Sequence, residues 1–184
     1  AENVRLGVMT FEDKKMEEQG EWVENWEVSH DCLRLRARIE GNKLPLEQRD
    51  EAAEDLERLA EYGDVHAQYF LGLLYRDGGL LLPDTERATH WLELAARRDL
   101  PAAQYALGKL YLSDDPEVHD TSDGLQWLER AAQNGNTDAA YCLGKEYLTG
   151  KSVPKDAVKA AEYLRHAADQ NHPWANYLLG KLYL

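Results

Sequence analysis

Residues Ala67–Tyr75 carry the sequence AQYFLGLLY, and three further copies of its pattern follow along the chain. The copies are AQYALGKLY at Ala103–Tyr111, AAYCLGKEY at Ala139–Tyr147 and ANYLLGKLY at Ala175–Tyr183. Each copy begins 36 residues after the one before it, so A-x-Y-x-L-G-x-x-Y occurs four times at one period. A fixed period in this range is typical of a repeat architecture.

A second pattern has the same 36-residue period and lies between the copies of the first. It pairs an aromatic residue and a leucine with two alanines, at Trp91–Ala96, Trp127–Ala132 and Tyr163–Ala168. Both patterns place apolar residues three and four positions apart, which predicts two amphipathic helices per repeat. The residues predicted to cap the second helix are Asp84, Asp120 and Asp156, and those predicted to end it in a left-handed conformation are Asp99, Gly135 and Asn171.

These residues resemble the Sel-one-like repeat family, which is related to the tetratricopeptide repeat. The resemblance rests on the L-G-x-x-Y run of the first helix, the A-x-x-W/Y-L-x-x-A-A run of the second, and the junction QNGNTDAAYCLG at Gln133–Gly144. It covers residues 64–184 and, more loosely, residues 31–63. It implies an all-α fold, an α-solenoid of stacked helix-turn-helix repeats that is used for protein–protein contact.

The period also predicts the organisation of the chain. The array spans residues 31–184: a degenerate repeat at 31–63, repeats at 64–99, 100–135 and 136–171, and the first helix of a truncated repeat at 172–184. Residues 1–30 do not fit the period, and we predict that they cap the first repeat, with a partner-binding motif as the alternative. Residues 33–40, LRLRARIE, alternate apolar and charged side chains, so an edge strand is a second interpretation of that stretch.

Four glycines at the repeat period point to close packing between helices. Gly72, Gly108, Gly144 and Gly180 lie inside predicted helices, where glycine costs about 1 kcal/mol relative to alanine. A close approach of a neighbouring helix would offset that cost, because glycine has no side chain to hold the helices apart. The glycines therefore predict a structural contact rather than a chemical role.

Composition excludes several classes of function. The formal net charge is −13, with 34 acidic and 21 basic residues, so the chain would repel phosphate backbones and direct nucleic-acid binding is not expected. No apolar run approaches the roughly 20 residues that span a bilayer, so no membrane contact is expected. Cys32 and Cys142 occupy non-equivalent repeat positions, so the disulfide framework of some secreted members of the resembled family is absent. We predict a bacterial, cytoplasmic protein.

One face of the predicted first helices is rich in tyrosine and lysine, and in tetratricopeptide-like solenoids these positions line the concave groove. The candidate groove residues are His66, Tyr69, Tyr105, Lys109, Tyr141, Lys145, Trp174, Tyr177 and Lys181. Two interpretations stay open: the tyrosines pack on neighbouring repeats and the lysines keep the surface soluble, or the face binds a partner. In the second case aromatic side chains act as anchors and lysines pair with carboxylates. We predict a protein or peptide partner of acidic character.

Motifs that resemble catalytic or metal sites fail on spacing. Gly150–Ser152 reads GKS, but Lys145 stands where a phosphate-binding loop needs its first glycine. Ser113–Asp123 gathers acidic residues in a turn, where weak calcium binding is the less favoured alternative to a solvated loop. The six histidines show no paired metal spacing. We therefore expect no cofactor and no metal, and the chain is not expected to be an enzyme.

Two functional assignments follow. The first is a non-catalytic scaffold or adaptor that binds a partner segment in its groove. The second is the C-terminal repeat tail of a larger bacterial protein such as a mobilisation relaxase, serving assembly or recruitment, because Glu21–Gly63 faintly resembles the lead-in of such tails. The sequence stops after the first helix of a repeat, and the apolar residues of that helix predict self-association through this end.

Overall fold

The computed structural model describes residues 29–40 and 45–183, and within these ranges the chain forms nine α-helices and no strand. The helices are α1 (His30–Glu40), α2 (Leu46–Glu61), α3 (Val65–Asp77), α4 (Thr85–Arg97), α5 (Pro101–Tyr111), α6 (Thr121–Gln133), α7 (Thr137–Thr149), α8 (Ala157–Asp169) and α9 (Ala175–Leu182). Contacts between elements divide the chain into two compact units, residues 1–84 and 85–184. The predicted all-α solenoid is confirmed.

In the first unit, α1 packs on α2 and α3, and α2 packs on α3. Residues 33–40 lie inside α1, so the edge-strand interpretation is wrong: Cys32 and Leu35, three positions apart, form a buried helical face. The hydroxyl of Ser29 accepts the backbone N–H of Cys32 (3.2 Å) and caps the helix. The predicted cap over residues 1–30 lies outside the described residues except for its last two positions, and the degenerate repeat at 31–63 stays a prediction.

In the second unit, each helix packs on the next one along the chain, from α4 through α9. Five of the six helices of this unit, α4 to α8, each place one leucine in its core, at the same two repeat positions. These leucines, each with 0% exposure, are Leu92, Leu107, Leu128, Leu143 and Leu164. Burying a leucine side chain contributes about 1.5–3 kcal/mol, so the repeating leucines stabilise the array evenly along its length.

The predicted helix boundaries hold at several repeats of the second unit. The carboxylate of Asp120 accepts the N–H of Asp123 (2.9 Å), and that of Asp156 accepts two N–H groups at the start of α8 (3.0 Å each). Asp99 and Asn171 both adopt φ 61°, and Gly135 adopts φ 88°. Residues that tolerate a left-handed backbone therefore follow the second helices and end them, as the sequence predicts.

Close helix packing is confirmed at two of the four repeat glycines, Gly108 and Gly144. A Cβ atom on Gly108 would lie 2.8 Å from Leu128 Cγ and 2.9 Å from the carbonyl oxygen of Gly124. On Gly144 it would lie 2.6 Å from Leu164 Cγ. The first helix of each of these repeats thus approaches its second helix too closely for any side chain. At Gly180 no described atom lies within 4 Å of that position.

A polar cluster centred on Asp99 joins adjacent repeats within the second unit. Its carboxylate accepts hydrogen bonds from Arg130 (2.9 Å) and from Gln104 (3.0 Å). The fully buried Gln104 also donates to the carbonyl oxygen of Ala96 (3.1 Å) and accepts from the side chain of Asn134 (3.0 Å). Both polar atoms of the Gln104 amide on α5 are therefore satisfied by groups at the C-terminal ends of α4 and α6.

Candidate functional site

Six of the seven predicted groove residues of the second unit lie on its first helices in matched pairs. Tyr105 and Lys109 are on α5, and the equivalent pairs are on α7 and α9. Residues four positions apart lie one above the other on a helix, so each lysine stands over its own tyrosine. We call these six residues the tyrosine–lysine face: Tyr105, Lys109, Tyr141, Lys145, Tyr177 and Lys181.

Two of the three pairs make a cation–π contact. The Nζ atom of Lys109 lies 5.8 Å from the ring centroid of Tyr105, and that of Lys181 lies 4.7 Å from the ring centroid of Tyr177. A cation within about 6 Å of an aromatic ring is attracted by the ring's quadrupole. Both lysines are exposed, so the ring holds the ammonium group in place while its N–H donors face solvent.

The tyrosine rings are not equally available. Tyr105 and Tyr141 are half-buried and pack against the core cluster that contains Leu128 and Leu143, whereas Tyr177 is 55% exposed. Part of the tyrosine pattern therefore serves packing, which was one of the two interpretations of the sequence. The exposed lysines and Tyr177 are the parts of the face that a partner can reach without rearrangement.

On α7 the tyrosine has a different partner. The ring of Tyr141 stacks on the imidazole of His172, with centroids 4.2 Å apart and an interplanar angle of 18°. His172 is buried, and its Nε2 atom lies 3.2 Å from Oδ1 of Asp138. Sequence reasoning set His172 aside, although Asp64 and Asn136, its equivalents in other repeats, cap first helices through their side chains. That mismatch at one repeat position was the available signal.

Cys142 lies close to two lysines of the face. Burial raises the pKa of its thiol and the carboxylate of Glu146 raises it further, whereas the ammonium groups of Lys109 and Lys145 lower it. Lysines from two adjacent repeats therefore act electrostatically at one place on this surface. Both Cys142 and the buried Cys32 are free thiols.

The two remaining groove residues on α3 belong to the first unit. Tyr69 is half-buried, and burial raises the pKa of its phenol against the opposing effect of Arg76 and Arg36. His66, three residues earlier, is also half-buried, and position 73, where the other repeats carry a lysine, is a leucine. The tyrosine–lysine pairing is thus a feature of the second unit. Trp174, which precedes α9, is 62% exposed.

A cavity that the sequence did not predict lies beside α4. Its volume is about 430 Å³, and its lining residues are Glu86, Thr89, His90, Glu93, Glu117 and Val118. Glu93 accepts hydrogen bonds from the Tyr111 hydroxyl and from Arg97, so part of the acidic lining is already paired.

Across residues 29–40 and 45–183, no three His, Cys, Asp or Glu side chains are grouped so as to hold a metal ion. None of the helices in the described ranges is long and apolar enough to cross a membrane.

The sequence model of the Sel1 repeat matches residues 65–100, 101–136 and 137–172. The chain belongs to the Sel1 repeat family. Proteins built from Sel1 repeats are generally scaffolds for protein–protein interaction, and their fold is typically non-catalytic. Among curated protein sequences, none matches the chain.

Solved structures resemble this Sel1 array over most of its length. A Sel1 repeat protein from Oxalobacter formigenes is 38% identical, with a TM-score of 0.60 over 70% of this chain and 96% of its own. The protective antigen c5321 of uropathogenic Escherichia coli, which has an SLR fold, is 29% identical, with a TM-score of 0.75 over 98% of this chain and 36% of its own. The immunity protein Pa5087 from Pseudomonas aeruginosa, at 24% identity and a TM-score of 0.56, shares the fold.

Proposed function

We propose that this protein is a non-catalytic interaction module that binds an acidic segment of a partner protein on the tyrosine–lysine face of its second unit. The observation that supports the proposal most is the placement of the Lys109 and Lys181 ammonium groups over tyrosine rings at 5.8 Å and 4.7 Å. A lysine held on a ring has lost part of its rotamer freedom before a ligand arrives. Less side-chain entropy is then lost on binding, which favours affinity.

Charge favours an acidic partner at this face. The chain carries a formal net charge of −13, so most of its surface repels an acidic segment. A local cluster of lysines on an acidic protein therefore directs such a segment to one place and raises its association rate. The surrounding aromatic rings supply apolar area, and interface energy is concentrated in such residues.

A short polyglutamate peptide with a fluorescent label tests the proposal by anisotropy. Changing Lys109, Lys145 and Lys181 together to glutamate should weaken its binding by about 3- to 150-fold, because an exposed charge pair contributes about 0.2–1 kcal/mol. The loss should fall mainly on the association rate and on the salt dependence of binding.

The matched control changes three other exposed lysines, Lys151, Lys155 and Lys159, to glutamate. Both variants lower the formal net charge by the same amount. The control also removes a lysine held over a ring, since Lys159 Nζ lies 5.2 Å from the Tyr147 centroid, and it breaks the ion pair of Lys151 with Asp114 (3.5 Å). Circular dichroism checks that both keep the helical fold. Equal weakening in the two variants would mean that overall charge, and not the tyrosine–lysine face, governs binding.

We also propose self-association through α9. Leu179 is half-buried and Gly180 is exposed, whereas Leu107 and Leu143, the equivalents of Leu179, have 0% exposure. Together with the exposed rings of Trp174, Tyr177 and Tyr183, these residues form an apolar surface of the kind that mediates association. A bacterial origin, a cytoplasmic location and the relaxase-tail alternative stay predictions.

A further inference from the structure

His172 connects three residues that lie at the tyrosine–lysine face. Its ring is stacked 4.2 Å from that of Tyr141, its Nε2 atom lies 3.2 Å from Asp138 Oδ1, and its Nδ1 atom lies 3.3 Å from the backbone nitrogen of Trp174. The first two partners are on α7, and the third immediately precedes α9. A single buried side chain thus joins two successive first helices of the array.

The contacts define the state of the imidazole. A backbone N–H can only donate, so Nδ1 of His172 accepts from Trp174 through its lone pair. The ring proton of the neutral form then resides on Nε2 and is donated to the carboxylate of Asp138. Adding a second proton at Nδ1 removes the acceptor of the Trp174 N–H and makes the ring a cation stacked on Tyr141.

We propose that His172 is a positioning residue of the tyrosine–lysine face and that its protonation strengthens the binding of an acidic segment there. The inference rests on the proposed function of that face. With the ring neutral, Asp138 places an uncompensated negative charge one helical turn from Tyr141. The equivalent positions are Ala102 on α5 and Trp174 immediately before α9, so among these three repeats the carboxylate is specific to one.

A proton added to the ring cancels the Asp138 charge locally, because the resulting cation lies 3.2 Å from the carboxylate oxygen. On α7 the ionisable side chains are Asp138, Tyr141, Cys142, Lys145, Glu146 and Tyr147; in the last turn of α8 they are His166, bonded to Gln170, and Asp169; and on α9 they are Tyr177 and Lys181. Asp138 is the one among them that the structure places in ionic contact with the ring.

Nuclear magnetic resonance of the free protein tests the positioning role without any ligand. The Trp174 amide and the Tyr141 ring signals should titrate with the same midpoint as the His172 imidazole. His172→Gln should abolish that common transition, and His166→Gln, which removes an exposed histidine of the neighbouring turn, should leave it intact. The positioning role is overturned if the Trp174 and Tyr141 signals do not follow the His172 titration, or if they titrate in the same way in His172→Gln.

Binding of the polyglutamate peptide at about pH 5.5 and about pH 7.5 tests the linkage. At the lower pH we expect the native protein to bind the peptide about two- to fivefold more tightly than His172→Gln does. This is the range for one partly exposed charge pair. Asp138→Asn, which keeps the imidazole, should bind at the higher pH as tightly as the native protein does at the lower one.

The outcomes separate this inference from the proposed function. Peptide binding with the same pH dependence in the native protein, His172→Gln and Asp138→Asn overturns the proton linkage while the face remains a binding site. An absence of peptide binding at both pH values overturns the proposed function itself, and with it the linkage, whatever the resonance titration shows.

Discussion

Replacing Gly108 by alanine tests the packing that defines the array. The new Cβ would lie 2.8 Å from Leu128 Cγ, 3.0 Å from its Cδ2 and 2.9 Å from the carbonyl oxygen of Gly124. The leucine side chain can shift, but the carbonyl belongs to the backbone of α6. The two helices must therefore separate, and the leucine core between them must follow.

Two opposing effects set the size of the change in unfolding free energy. Alanine is the better helix former by about 1 kcal/mol. Overpacking a tight contact costs about 1–3 kcal/mol, and three contacts at 3.0 Å or less, one of them to the main chain, place this site at the upper end. We expect a net loss of about 2 kcal/mol, which lowers Tm by about 4–8 °C in a chain of this size.

Gly180→Ala is the matched control, because it is the same substitution at the equivalent repeat position. No described atom lies within 4 Å of its Cβ, so only the helix-propensity gain of up to about 1 kcal/mol remains. Thermal melts followed by circular dichroism should therefore move in opposite directions for the two variants. If Gly108→Ala melts at or above the native temperature, the helices are not in the contact that the glycine allows, and the reasoning is wrong.

Further predictions concern pH, the face and α9. Burial raises the pKa of Cys32 from 9.0 to about 12, so the folded state keeps a proton that the unfolded state releases. The free energy of unfolding should therefore fall as the pH rises from about 9 toward 12. In urea melts, Cys32→Ala should reduce that fall. Tyr105→Phe should retain peptide affinity because the ring still holds Lys109, whereas Tyr105→Leu should lower it by about two- to fivefold. Sedimentation should show association that grows with concentration, which Tyr183→Glu reduces and Tyr62→Glu, at a similarly exposed tyrosine of the first unit, does not.

Much of the fold could be predicted because its determinants are local or repeat at the period. Any helix brings Tyr105 and Lys109 together, since they are one turn apart. Any tight pairing of the two helices of a repeat needs a small residue where Gly108 and Gly144 lie. The alternation of residues 33–40 also allowed an edge strand, which is wrong. A short apolar run has too few positions to distinguish a period of two from one of 3.6.

The contact of His172 with Asp138 could not be predicted in this way. It joins residues 34 apart in the sequence and occurs in one repeat only, so comparison of equivalent positions hides it. The repeats also differ in what this position does: Asn136, at the equivalent position, caps its own helix, whereas His172 contacts α7. The cavity beside α4 depends on the path of the loop that contains Glu117, which helix periodicity does not determine.

The polar cluster at Asp99 has a consequence for how such a gene can change. Sequence blocks 36 residues apart share one pattern, and an array of interchangeable repeats would survive the in-frame deletion of one of them. Loss of residues 101–136 would bring His166 to the place of Arg130, Gln170 to that of Asn134 and Ala140 to that of Gln104. The shortened array would keep its leucines and glycines but lose the donors that hold Asp99. The repeats are thus ordered parts, and selection acts on their sequence along the chain as well as on their number.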